Sequence, residues 1–124
     1  MSTPIEIVER FCAAIAEGDM DAVIAFFTDD AVYHNIPMDP VVGPVEIRAT
    51  LEGFLLIATS LEFRVLAIAA TGDTVLTERV DVFHLPTKSI ELPVMGAFDI
   101  RGEQISGWRD YFDLNQIMSQ LPQG

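Results

Sequence analysis

The second half of this chain constrains its fold most. From Leu61 onward it reads as four long strand-type segments, Leu61–Ala70, Thr74–His84, Ile90–Ile100 and Gln104–Asp113, with almost nothing between them. Thr71-Gly72-Asp73 and Arg101-Gly102-Glu103 carry turn chemistry, and Leu85–Ser89, which contains Pro86, makes the remaining connection. Connections this short allow only antiparallel neighbours, because a parallel crossover needs roughly a dozen residues or more. The segments are therefore expected to lie side by side as one antiparallel sheet.

The first half reads differently. Thr3-Pro4-Ile5-Glu6 is a helix start in which Thr3 caps, Pro4 takes the first turn and Glu6 completes a capping box. Ile5, Val8, Phe11, Cys12 and Ile15 recur at helical spacing until Gly18 ends the segment. Asp19 caps a short second helix expected to reach Phe27, and Thr28-Asp29-Asp30 breaks it. Ala31–Ile36 reads as a short strand and Pro37–Val42 as a loop. A third helix is expected from Gly43-Pro44 to about Leu56, and a short one over Asn115–Leu121. With 124 residues there is room for one core, so residues 1–124 are read as a single domain. Helices gathered at the front must cover one face of the sheet. The expected fold is α+β, a strongly curved, mostly antiparallel sheet closed by N-terminal helices into a cone with a blind cavity.

Charge narrows the function. Nineteen acidic residues against seven basic ones give a net charge of −12, which repels phosphate backbones and anionic lipid surfaces. No nucleic-acid partner and no membrane partner are expected. No apolar run reaches spanning length, and no basic segment followed by an apolar stretch marks a secretory signal. The one cysteine, Cys12, falls on an apolar helix face and reads as a buried small residue, which points to a reducing cytoplasm. His34 and His84 belong to no ligand-spaced cluster, and no glycine-rich phosphate loop or Gly-x-Ser-x-Gly turn occurs. Neither a metal nor a cofactor is expected.

Two strands carry residues with chemical potential. Alternation puts Val75, Thr77, Arg79, Asp81 and Phe83 on one face of Thr74–His84, and Trp108, Asp110 and Phe112 on one face of the last strand. Charges set among apolar residues are rarely buried without partners. If both faces turn inward, Asp81, Arg79 and Asp110 meet in an apolar enclosure. Two carboxylates around one guanidinium favour keeping a proton on one of them, which yields an acid and a base together. A structural salt-bridge network is an equally open reading of the same residues. Tyr33 and Asn35 project together from their short strand, either to hold a water or as packing and a turn start.

Tyr33-x-Asn35, Thr77-Glu78-Arg79-Val80-Asp81 and Gly107-Trp108-Arg109-Asp110-Tyr111-Phe112-Asp113 resemble the signature segments of the limonene-1,2-epoxide hydrolases. That family is part of the cone-shaped superfamily that includes nuclear transport factor 2 and ketosteroid isomerase. The likeness runs from about Ile5 to Leu121 with matching segment order. It implies that Asp110 acts as base toward a water held by Tyr33 and Asn35, that protonated Asp81 donates to the epoxide oxygen, and that Arg79 bridges the aspartates. It also implies a small apolar epoxide and water as substrates, no cofactor and a homodimer. Direction and resemblance together assign Phe83, Leu92, Val94, Trp108, Phe112 and Ile117 to the substrate wall. The competing readings are a ketosteroid-isomerase-like or polyketide-cyclase-like enzyme and a non-catalytic binding cone.

Overall fold

A computed structural model describes residues 2–121. The element order is α1 (Pro4–Glu17), α2 (Met20–Ile24), β1 (Phe27–Asn35), β2 (Val41–Val42), α3 (Pro44–Phe54), β3 (Ser60–Thr71), β4 (Thr74–His84), β5 (Ser89–Arg101), β6 (Gln104–Tyr111) and α4 (Leu114–Met118). The capping box forms as the sequence predicts: Thr3 accepts from the Glu6 amide while the Glu6 carboxylate accepts from the Thr3 amide. Gly18 ends α1 at φ 77°, a left-handed geometry that costs a residue with a Cβ. Asp19 caps α2 by accepting from the Ala22 amide.

The four long strands pair as an antiparallel meander, β3 to β4 to β5 to β6, in the full sheet order β2-β1-β6-β5-β4-β3. β1 joins it in parallel beside β6, and β2 pairs antiparallel with β1 at the edge. Register shifts between Val65 and Ala67, between Asp99 and Ile100, and between Phe27 and Val32 interrupt the ladders. Such irregularities bend strands and increase their twist, and the six-stranded sheet is curved but not closed on itself. α1 packs on β3 and β4 through its buried stripe of Ile7, Val8, Phe11, Cys12 and Ile15. α3 packs on β1, β2 and α2, and α4 lies against β5. Among the described residues, no helix is long and apolar enough to cross a membrane.

Four element assignments differ from the sequence reading. The second helix stops at Ile24 rather than Phe27, because Phe27 opens β1 opposite Ile105. Thr28-Asp29-Asp30, expected as a break, is strand: the Thr28 hydroxyl donates to the Asp30 carboxylate, which also pairs with Arg101. Val41 and Val42, expected in a loop, form β2 against Tyr33 and Val32. The last strand ends at Tyr111, not Asp113, since the Asp113 carboxylate turns to cap α4 by accepting from the Asn115 amide.

Candidate active site

The alternation on β4 resolves in one direction. Val75, Thr77, Arg79, Asp81 and Phe83 are all buried beneath the helices, whereas Leu76 and Glu78 face outward. On β6, Trp108 and Asp110 turn to the same side, and β1 places Tyr33 opposite Trp108 and Asn35 opposite Asp110. Three strands thus deliver five polar side chains to one spot, each 7% exposed or less.

At the centre lies Arg79, fully buried. A guanidinium has five N–H donors and no acceptor, and here each N–H has a partner. Nε and Nη2 donate to Asp81 Oδ1 and Oδ2 at 2.9 and 2.8 Å. Nη1 and Nη2 donate to Asp110 Oδ1 and Oδ2 at 3.1 and 2.9 Å. The remaining Nη1 hydrogen goes to Thr77 Oγ1 at 3.2 Å. Because arginine can only donate, the Thr77 hydroxyl must accept there and turn its own hydrogen to the Gly96 carbonyl, 3.4 Å away. The Phe63 ring closes one face of the guanidinium, 4.6 Å from its carbon to the ring centre.

Gly96 explains how Arg79 spans the gap. Thr77, Gly96 and Asp110 are cross-strand neighbours on β4, β5 and β6, so the guanidinium crosses β5 to reach the second carboxylate. A Cβ at position 96 would collide with Arg79 Nη1 and lie 2.8 Å from Asp110 Oδ1 and 2.9 Å from Thr77 Oγ1. The glycine is the opening that the ion pair occupies.

Burial pushes the Asp81 carboxyl up to about 6; its hydrogen bonds to Arg79 oppose that shift and the charge of Asp110 adds to it. Arg79 loses hydration on burial, but the two carboxylates more than offset this and hold it cationic. Burial also drives the Tyr33 phenol well above its ordinary value, so it stays a neutral donor. That hydroxyl donates to Asn35 Oδ1 at 3.2 Å, leaving a phenolic lone pair and the Asn35 amide hydrogens for another partner. Cys12 lies under the same cluster, and burial pushes its thiol up to about 12.

Next to this network is a cavity of about 190 Å³. Its polar lining consists of Tyr33, Asn35, Asp81 and Asp110, all at the buried end. Of the six apolar residues assigned to the wall from sequence, Phe83, Leu92, Val94, Phe112 and Ile117 line it. Trp108 does not. It is fully buried beyond the wall, stacked on Tyr33 with centroids 4.0 Å apart, and its indole N–H donates to Asp110 Oδ1 at 2.8 Å. The alternation that put it on the inward face was right, but Tyr33 stands between it and the cavity.

The sequence reading did not single out Thr77 or Gly96, nor the wall supplied by Phe54, Ile57, Leu61 and Phe63 on one side. It also passed over a mouth rimmed by Met38, Leu114 and Met118, each more than a third exposed. A glycine inside a strand is a signal of close approach that could have flagged Gly96. The mouth carries no such signal, because its residues lie on helices and loops whose docking is tertiary. Among the described residues, no group of three or more His, Cys, Asp or Glu is placed to hold a metal ion.

Known proteins resemble this chain in sequence and in fold. The model of the limonene-1,2-epoxide hydrolase catalytic domain matches residues 2–123. Epoxide hydrolase EphG of Mycobacterium tuberculosis is 33% identical over 117 residues, covering 94% of this chain and 78% of that protein. A solved LEH-like epoxide hydrolase from M. tuberculosis has a TM-score of 0.83 at 31% identity, covering 95% of this chain and 88% of that one. A putative polyketide cyclase from Xanthomonas campestris pv. campestris, 22% identical with a TM-score of 0.85 over 96% of each chain, shares the fold alone. In sequence along nearly its whole length, and in fold, this chain belongs to the limonene-1,2-epoxide hydrolase family.

Proposed function

We propose that residues 1–124 act as one catalytic domain that adds water to a small apolar epoxide, cyclic or terpene-like, in a single step to give a vicinal diol. The observation that carries the reading is one buried guanidinium hydrogen-bonded to two aspartates at the polar end of an otherwise apolar cavity. Asp110 Oδ2 has one Arg79 partner and a lone pair to spare beside the Tyr33–Asn35 pair. A water held by these three groups gives its proton to Asp110 as its oxygen attacks an epoxide carbon. The C–O bond breaks, and the leaving oxygen takes the proton of Asp81. The diol leaves with one hydroxyl from water, and a proton passes from Asp110 back to Asp81 to reset the site. The raised Asp81 carboxyl suits the donor role, since a catalytic acid works best near the operating pH.

The Tyr33–Asn35 pair favours hydrolysis over an isomerase or cyclase reading, because neither of those reactions requires a positioned water. Single turnover in oxygen-18 water with a panel of cyclic and terpene epoxides tests the proposal. Diol bearing the heavy oxygen in the first turnover is expected. Label entering the protein would defeat the one-step route, and no diol from any epoxide would defeat hydrolysis. Asp110→Asn is expected to fold and bind the epoxide but not turn it over. We further propose a homodimer, with the outward sheet face that exposes Leu66, Leu76, Met95 and Tyr111 as its contact.

A further inference from the structure

An acid–base pair needs its two carboxyls to differ, and Arg79 does not make them differ. Asp81 receives two of its N–H groups at 2.9 and 2.8 Å, and Asp110 receives two at 3.1 and 2.9 Å. Both aspartates are buried, 5% and 3% exposed. As far as the guanidinium is concerned, a proton could rest on either.

The difference comes from the opposite side of Asp110. Trp108 Nε1 donates to Asp110 Oδ1 at 2.8 Å, and among the described residues no group other than Arg79 donates to Asp81. An indole N–H can donate but never accept, so it favours an ionised partner. It also has nowhere else to point. The ring is stacked on Tyr33 and Phe98, with centroids 4.0 and 5.7 Å away, and Phe11 meets it edge-on at 5.1 Å. Among the described residues no other side chain donates to either aspartate. Thr77 from β4 bonds Arg79, and Tyr33 from β1 donates to Asn35. Cys12 from α1 stays a neutral thiol.

We infer that Trp108 is a positioning residue that assigns the roles of the two aspartates: its N–H holds Asp110 as the carboxylate and thereby leaves the shared proton on Asp81. The effect on turnover rests on the epoxide-hydrolysis reading, whereas the location of the proton does not. The raised Asp81 carboxyl is in keeping with this assignment.

The test is carbon-13 NMR of protein labelled at the aspartate carboxyls, with the two resonances assigned from Asp81→Asn and Asp110→Asn variants. Where the pair holds one proton, the Asp81 carbon is expected at a protonated-carboxyl shift and the Asp110 carbon at a carboxylate shift. In Trp108→Phe the two should move toward each other as the proton becomes shared. Benzothienylalanine at position 108, which keeps the bicyclic shape without the N–H, should do the same and carries the test if the phenylalanine variant does not fold. Loss of one charge-assisted hydrogen bond should lower kcat roughly ten- to a hundredfold, with KM within about twofold. Resonances that keep the wild-type separation in both substituted proteins, even with a lowered melting temperature, would reduce Trp108 to packing and overturn the inference. Resonances that behave as expected while no epoxide yields diol would instead remove the hydrolase reading and leave the assignment standing.

Discussion

At the scale of single residues the site is a saturated guanidinium. All five Arg79 donors have acceptors and no buried polar side-chain atom is left without a partner among the described residues, so neither a shorter nor a rounder cation can take its place. Gly96→Ala should therefore damage catalysis from a position that touches no substrate. Pushing the guanidinium aside is expected to lower kcat about a hundredfold, the usual consequence of a 1 Å misplacement, and steady-state kinetics on the purified variant would show it. As the proposed proton donor, Asp81 should govern the pH response. It must be protonated to donate, so kcat/KM should decline as pH rises through about 6. Folding raises this carboxyl, so its contribution to stability is greatest below the unfolded carboxylate range near ~3.9 and is lost as pH rises through about 6. A pH–rate profile with no alkaline limb in that region would contradict the donor role. Alternation put Arg79 and Asp81 on one face and Asp110 on another, and the family resemblance, not spacing, singled out Tyr33 and Asn35 beside them. Thr77 and Gly96 were not legible, because their part depends on where a neighbour's side chain crosses the sheet.

At the scale of elements, the decisive contact is β1 against β6. It is the parallel pair in the sheet, it joins segments far apart in sequence, and it sets Asn35 beside Asp110. Sequence patterns see runs, not partners, which is why Phe27 read as the end of a helix and β2 as loop. An apolar pair such as Phe26-Phe27 satisfies either period until a distant strand claims it. The long strands of the meander were legible because each is followed by its own partner across a short turn. α1 is the element whose stability can be tested apart from the chemistry, since its capping box lies outside the site. Thr3→Ala should cost about 1 kcal/mol, or roughly 4 °C in melting temperature, with kcat unchanged. A calorimetric scan and one rate measurement check both halves of that expectation.

At the scale of the whole molecule, a surface of net charge −12 surrounds a cavity whose mouth is apolar. An uncharged substrate is neither drawn in nor repelled by that field. kcat/KM should accordingly change less than about twofold between roughly 0.02 and 0.5 M salt, whereas a charged substrate would show steep dependence. Initial rates across that range decide the point. The layering of helices on one sheet face follows from the order of segments alone. The openness of the sheet and the shape of its cavity depend on register shifts that no local pattern announces.

Trp108 is the chain's single tryptophan, and it is wholly buried, stacked on Tyr33 and hydrogen-bonded to Asp110. The protein therefore carries its own fluorophore at the place where the chemistry is proposed. Its emission reads the dryness of that spot and the hydrogen bond to Asp110 rather than an average over the fold. A refolding trace recorded at this indole follows the packing of α1, β1, β3 and β5 around it, so the intrinsic optical signal and the recovery of a working site should rise together.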